Sequence, residues 1–150
     1  MPRTRTMAAV FTAAVFAGVL ALPAPAHAAG SLHLYKVYYD SPGSDRGGNT
    51  SVNGEYVQIR NTTGAAVNLR GWTLTDAANH RYTFGSFTLG KGRTVTVRTG
   101  KGRNTSTTLY QGRAWYVWNN DKDTATLKRA NGSKADTCSY NSTRVDYKMC

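Results

Sequence analysis

The chain has 150 residues, 40% of them hydrophobic, with 19 Lys and Arg against 8 Asp and Glu and a formal charge of +11. That length supports one domain with a single core, and two lone cysteines exclude a structural zinc site. So basic a balance favours polyanions: nucleic acid, anionic wall polymers or acidic lipid headgroups.

Residues 1–28 read as an export signal. Arg3 and Arg5 precede an almost wholly apolar run from Met7 to Leu22; Pro23 and Pro25 end it, and Ala26-His27-Ala28 is a small-x-small cleavage site. The rival reading, an uncleaved membrane anchor, needs a span of ~20 residues, and the run falls short of it. Thr4 separates the two arginines, so this is not a twin-arginine signal. No cysteine near the cut indicates lipid attachment. No second apolar segment follows, so residues 29–150 are expected to be secreted, free in the medium or loosely held at the cell surface. Without Arg3 and Arg5 they hold 17 basic residues, all 8 acids and a net charge of +9.

No long helix is predicted after Ala29. The β-prone runs are Leu32 to Tyr39, Glu55 to Asn61, Ala66 to Leu69, Trp72 to Thr75, Arg81 to Phe84, Thr94 to Thr99, Thr107 to Tyr110, Trp115 to Trp118, Thr124 to Arg129 and Lys134 to Tyr140. Short runs between Gly-Asn-Ser-Thr clusters predict an all-β sandwich or barrel. Strict alternation points Val57 and Ile59, Val95 and Val97, and Ala125 and Leu127 inward. Trp115-Tyr116-Val117-Trp118 is aromatic on both faces, so one face is covered by a loop or exposed. Asn131-Gly132 marks a hairpin. The longest structureless stretch is Asp40 to Gly54. Cys138 and Cys150 form an even pair in an exported chain, which points to a disulfide pinning the C-terminal tail; an intermolecular bridge is the rival.

The ordered set of motifs resembles a known family. Glu55-Tyr56-Val57-Gln58-Ile59-Arg60-Asn61-Thr62-Thr63-Gly64 is followed by Val67-Asn68-Leu69-Arg70-Gly71-Trp72-Thr73-Leu74, then by Tyr82-Thr83-Phe84 and Phe87-Thr88-Leu89. Gly92-Arg93-Thr94-Val95-Thr96-Val97, Trp118-Asn119-Asn120, Asp123-Thr124-Ala125-Thr126-Leu127 and Asn131-Gly132 complete it. This order is similar to the lamin tail domain in its bacterial exported form, over roughly Leu32 to Tyr140. The resemblance implies an immunoglobulin-like antiparallel β-sandwich and a non-catalytic binding or scaffolding module. Within that fold Trp72, just after the bend at Gly71, is expected to plug the space between the sheets.

Catalytic constellations are absent from the pattern. After residue 28 only His33 and His80 are histidines, Glu55 is the only glutamate, and neither G-x-S-x-G nor H-E-x-x-H occurs. Asp40, Asp45, Asn49, Asn53 and Glu55 put oxygen-bearing side chains into one Gly-rich loop, so calcium is the one cofactor the composition suggests; a solvated loop is the simpler reading. Asn119, Asp121 and Asp123 form a weaker set of the same kind. A small metal-dependent hydrolase or nuclease is the remote alternative.

Between Asp76 and Asp121 there is no acid at all. Lys91, Arg93, Arg98, Lys101, Arg103 and Arg113 in that interval are the candidate contacts to an anionic polymer. Lys91, Arg93, Lys101 and Arg103 lie in Gly-rich turns and are expected to cluster at loop tips. The competing expectation is a structural or protein-binding module whose basic charge is incidental. Export and pairing are read together by the intact mass of secreted protein. The expected mass is that of residues 29–150 less two hydrogens; free thiols that react with a thiol reagent would remove the proposed bridge.

Overall fold

The computed structural model describes residues 30–150; the proposed signal and its cleavage site lie outside them. The alternating runs become strands β1 (Leu32–Tyr38), β2 (Tyr56–Asn61), β3 (Val67–Asn68), β4 (Thr73–Thr75), β5 (Arg81–Thr83), β6 (Thr88–Leu89), β7 (Thr94–Arg98), β8 (Thr108–Tyr110), β9 (Lys122–Lys128), β10 (Lys134–Asn141) and β11 (Tyr147–Met149). A five-stranded sheet runs β11-β1-β2-β7-β8, a four-stranded sheet runs β10-β9-β4-β5, and β3 pairs with β6. All pairings are antiparallel except β7 with β8. This is the immunoglobulin-like sandwich that the resemblance implied.

The core forms where the inward faces of the two sheets meet. Val57, Ile59, Val95 and Val97 from the first sheet and Leu74, Ala125 and Leu127 from the second are all buried. A bulge in β1 makes this possible. Strict alternation from Leu32 and Leu34 would turn Lys36 and Tyr38 inward. Tyr35 is instead an extra residue in the register against β2, so Val37 and Tyr39 face the core. The carbonyl freed at Tyr35 accepts the Cys150 N–H at 3.0 Å.

The Cys138–Cys150 disulfide is present, with its Cα atoms 5.7 Å apart. Cys138 lies on β10, the edge of the four-stranded sheet, and Cys150 follows β11, the edge of the five-stranded one. The bridge therefore joins the two sheets as well as holding the tail. Beside it, the Leu34 N–H donates to Asp136 Oδ2 at 2.9 Å, a second link from β1 to β10.

Several expectations change. Trp115 to Trp118 is not a strand but part of the connection between β8 and β9. Its Val117 N–H donates to the Glu55 side chain instead of to a neighbouring strand. Trp118, 1% exposed, is the largest fully buried side chain; Trp72 is only half-buried and packs on the flank of the core, with the Arg129 guanidinium 5.9 Å from its ring. The plug between the sheets is thus Trp118. A four-residue helix α1 (Asn49–Val52) interrupts the stretch from Asp40 to Gly54, and β6 and β11 were too short to show as alternation. Among the described residues no helix is long and apolar enough to cross a membrane.

Asn61 ends β2 with a fully buried amide. Its Nδ2 donates to the carbonyls of Ala65 at 2.9 Å, Leu89 at 2.9 Å and Gly90 at 3.3 Å. Its Oδ1 accepts from the Thr63 N–H at 3.0 Å and the Thr63 hydroxyl at 2.6 Å. One side chain thereby shapes the Asn-Thr-Thr-Gly turn and ties it to the β6–β7 connection. Asn61→Ala removes the donor to the buried Leu89 carbonyl and the acceptor of the Thr63 N–H and hydroxyl, and each buried polar group left unpaired costs ~1–3 kcal/mol. Urea unfolding is expected to show a loss of about 2–4 kcal/mol; a loss below about 0.5 kcal/mol, the range of a neutral surface change, would show that the amide is dispensable.

Candidate functional site

The acids and the bases of this domain have separate jobs. Asp123 Oδ1 accepts the Ala77 and Thr124 N–H groups at 2.8 and 2.7 Å, and its Oδ2 accepts that of Asn119 at 3.2 Å. Asp76 accepts the His80 N–H and the His80 ring nitrogen Nδ1, each at 2.6 Å. Asp136 takes the N–H groups of Leu34 and Thr137, Asp121 that of Lys122, and Glu55 that of Val117. Asp40 and Asp45 both accept from the Asn120 amide, at 3.1 and 2.7 Å. Within the described residues the one ion pair is His80 with Asp76. No described lysine or arginine is neutralised by a carboxylate.

The proposed polyanion residues do not form one cluster. Lys91 and Arg93 are exposed in the turn before β7. Lys101 and Arg103 are exposed in the loop after it. Five extended residues put about 17 Å between the two groups. Arg98 donates from Nη1 to the Asn53 carbonyl at 2.6 Å and lies 5.5 Å from the Tyr56 ring. Arg113 donates from Nε to Gln111 Oε1 at 3.2 Å and from Nη2 to the Arg81 carbonyl at 2.9 Å, while its own N–H donates to the Thr99 carbonyl at 3.0 Å. Arg98, Lys101, Arg103 and Arg113 therefore share the end of the sandwich where β7 and β8 finish. Lys91 and Arg93 stand at the other.

Helix α1 fixes the Lys101 loop. The Asn49 side chain accepts the Lys101 N–H at 2.8 Å and donates to its carbonyl at 3.0 Å, and Asn53 Nδ2 donates to the same carbonyl at 2.9 Å. Asn49 and Asn53, considered above as metal ligands, are engaged in this clasp. Asp40 and Asp45 meet at Asn120, while Glu55 points into the core. Among the described residues no group of three or more His, Cys, Asp and Glu side chains could hold a metal ion.

The same end carries a cleft of about 690 Å³ lined by His80, Gln111, Arg113, Trp115 and Tyr116. Trp115 is 60% exposed, the most exposed large apolar side chain among those described. It is nonetheless held in place. Gly47, at φ 73°, lies so close to the indole that a Cβ there would overlap the ring. Tyr116 packs edge-on against Trp115, with centroids 5.4 Å apart, and its hydroxyl is 2.5 Å from Ser51 Oγ.

Sequence reasoning missed a row of side chains across the outer face of the five-stranded sheet. Tyr147, Tyr38, Tyr56, Arg98 and Tyr110 are successive register partners. Tyr38 stacks on Tyr56 and on Tyr147 at 5.1 and 6.1 Å, and the Lys36 ammonium lies 4.2 Å from the Tyr147 ring. The rings turn their faces toward one another, so the row holds the edge strand β11 in place. Its signal was the outward phase of β1 and β2, hidden by the bulge at Tyr35.

A family model described as Lamin Tail Domain matches residues 25–142. No curated protein matches the chain.

Glu55 is fully buried at the start of β2, and its Oε2 accepts the Val117 N–H at 3.0 Å. Burial pushes its carboxyl up to about 8, opposed in part by the bond from the Val117 N–H. The folded value lies above the ordinary 4.5, so folding favours the protonated form. Its stabilisation is complete below that ordinary value and is lost as pH rises toward about 8. Across that window the wild type should lose about 1.4 kcal/mol of stability per pH unit relative to Glu55→Gln. Denaturant midpoints measured from acid to weakly alkaline pH check this; parallel curves for the two proteins would contradict it.

Proposed function

Because this chain belongs to the lamin tail domain family, an immunoglobulin-like non-enzymatic fold, we propose that it is an exported, non-catalytic binding module for anionic polymers. One observation carries the reading. The buried acids Glu55, Asp76 and Asp123 accept backbone N–H groups, while no described Lys or Arg is paired with an acid. A surface of unpaired cations attracts phosphate- and carboxylate-bearing chains and releases their counterions on contact. Lys101 and Arg103, beside Arg98 and Arg113, form the main contact. Lys91 and Arg93 extend it along β7 for a polymer long enough to reach both ends.

Arg98 and Arg113 also support their own loops, through the carbonyls of Asn53 and Arg81. Arg93, Lys101 and Arg103 are exposed and give a cleaner test. Retention of residues 29–150 on polyphosphate and on duplex DNA should fall linearly with log salt, and replacing these three by Ala should reduce the slope by about two to three charges. Absence of binding at low ionic strength would eliminate the polyanion reading and leave a structural or protein-binding module.

A further inference from the structure

Trp115 serves no packing purpose that accounts for its exposure. Exposing most of an indole forfeits the burial that normally stabilises it. Yet Gly47 and Tyr116 pack against this ring at the mouth of a cleft. The cleft is of the size that takes a small ligand, with one aromatic plane and a few convergent polar groups.

Those polar groups select for charge. No Asp or Glu lines the cleft. Arg113 commits Nε to Gln111 and Nη2 to the Arg81 carbonyl, which leaves Nη1 without a protein partner. His80 binds Asp76 through Nδ1, which leaves Nε2 for a ligand, and its side chain is 48% exposed. Arg113 is the one guanidinium or ammonium group in the lining, and its free Nη1 suits a monoanion such as a carboxylate.

We propose that the cleft between His80 and the 111–117 segment binds an acidic sugar unit, a pyranose ring bearing one carboxylate. The ring lies against the Trp115 indole, and its carboxylate meets Arg113 Nη1 with His80 alongside. A single stacking plane fits one sugar ring better than a run of nucleobases, which needs several successive platforms. The inference rests on the binding-module reading, but it adds a ligand-specific subsite that does not require diffuse cationic contact.

The test uses residues 29–150 labelled with ¹⁵N, following the three tryptophan indole N–H signals during titration with trigalacturonate, maltotriose and a short oligothymidylate. The expected result is a saturable shift of the Trp115 signal with trigalacturonate. The signals of Trp72 and Trp118, half-buried and buried, should move little. Trp115→Ala and Arg113→Gln should each weaken trigalacturonate binding at least about tenfold, with Trp115→Phe intermediate and unchanged backbone spectra confirming the fold. Equal binding of maltotriose would overturn the need for an acidic group. Oligothymidylate shifting Trp115 where trigalacturonate does not would overturn the sugar and assign the cleft to nucleic acid. No shift with any probe would overturn the subsite. Trp115→Ala should retain wild-type salt-dependent binding to polyphosphate. Loss of polyphosphate binding in the wild type with the Trp115 shift intact would therefore sink the polyanion reading alone.

Discussion

A backbone N–H enclosed by protein must find an acceptor, and in this domain carboxylates and amides supply many of them. The connections are long relative to the strands, so many amides lie outside any ladder. Asp123 gathers three of them from two separate segments. Asp76 closes the β4–β5 turn, where Asn79 takes φ 68°. Asn61 does the corresponding work at the end of β2, with donor and acceptor atoms both in use. Removing any of these exposes the cost of a buried, unpaired polar group, so the acids are committed to the fold.

The surface charge follows from that commitment. An acid that accepts backbone N–H groups does little to pair a surface lysine. The excess of cations in the sequence is thereby converted into an excess of unpaired cations on the surface. Similar bonds brace the clearest cation-bearing end. Asn49 and Asn53 clasp the Lys101 backbone from α1. Glu55, buried and raised toward neutral, takes the Val117 amide and so holds the 111–117 segment against the core. That segment carries Arg113 and Trp115 on its outer side and Val117 and Trp118 on its inner side.

The two sheets are joined at one edge by chemistry other than packing. The Cys138–Cys150 bridge, the Asp136 bond to Leu34 and the Cys150 N–H bond to Tyr35 all meet where β1, β10 and β11 come together. In the chain-entropy view a cross-link over 12 residues of separation stabilises by about 3 kcal/mol. Its position adds a second effect. It holds β11, a three-residue edge strand whose outer side chains Tyr147 and Met149 remain partly exposed. The stacked tyrosines fasten the same strand from the outer face.

Much of the fold was legible because alternation is a local property. Val57 with Ile59, Val95 with Val97 and Ala125 with Leu127 face the core as their spacing predicts, and the motif order from Glu55 to Gly132 led to the family and its sandwich. The pairing of Cys138 with Cys150 followed from the even cysteine count and the expectation of export. What failed depended on partners distant in sequence. Trp118 rather than Trp72 fills the core because Glu55, 62 residues before Val117, captures the Val117 amide and draws that segment inward. The cations around β7 were visible as a run without acids, but a run says nothing about which end of a strand each residue occupies. Composition determined that this protein is basic, local patterning that it is strand-rich, and the even cysteine count pointed to one bridge. Tertiary structure decided which carboxylates are consumed, which cations stay free and which tryptophan remains outside, because each depends on hydrogen bonds and packing between segments that only folding brings together.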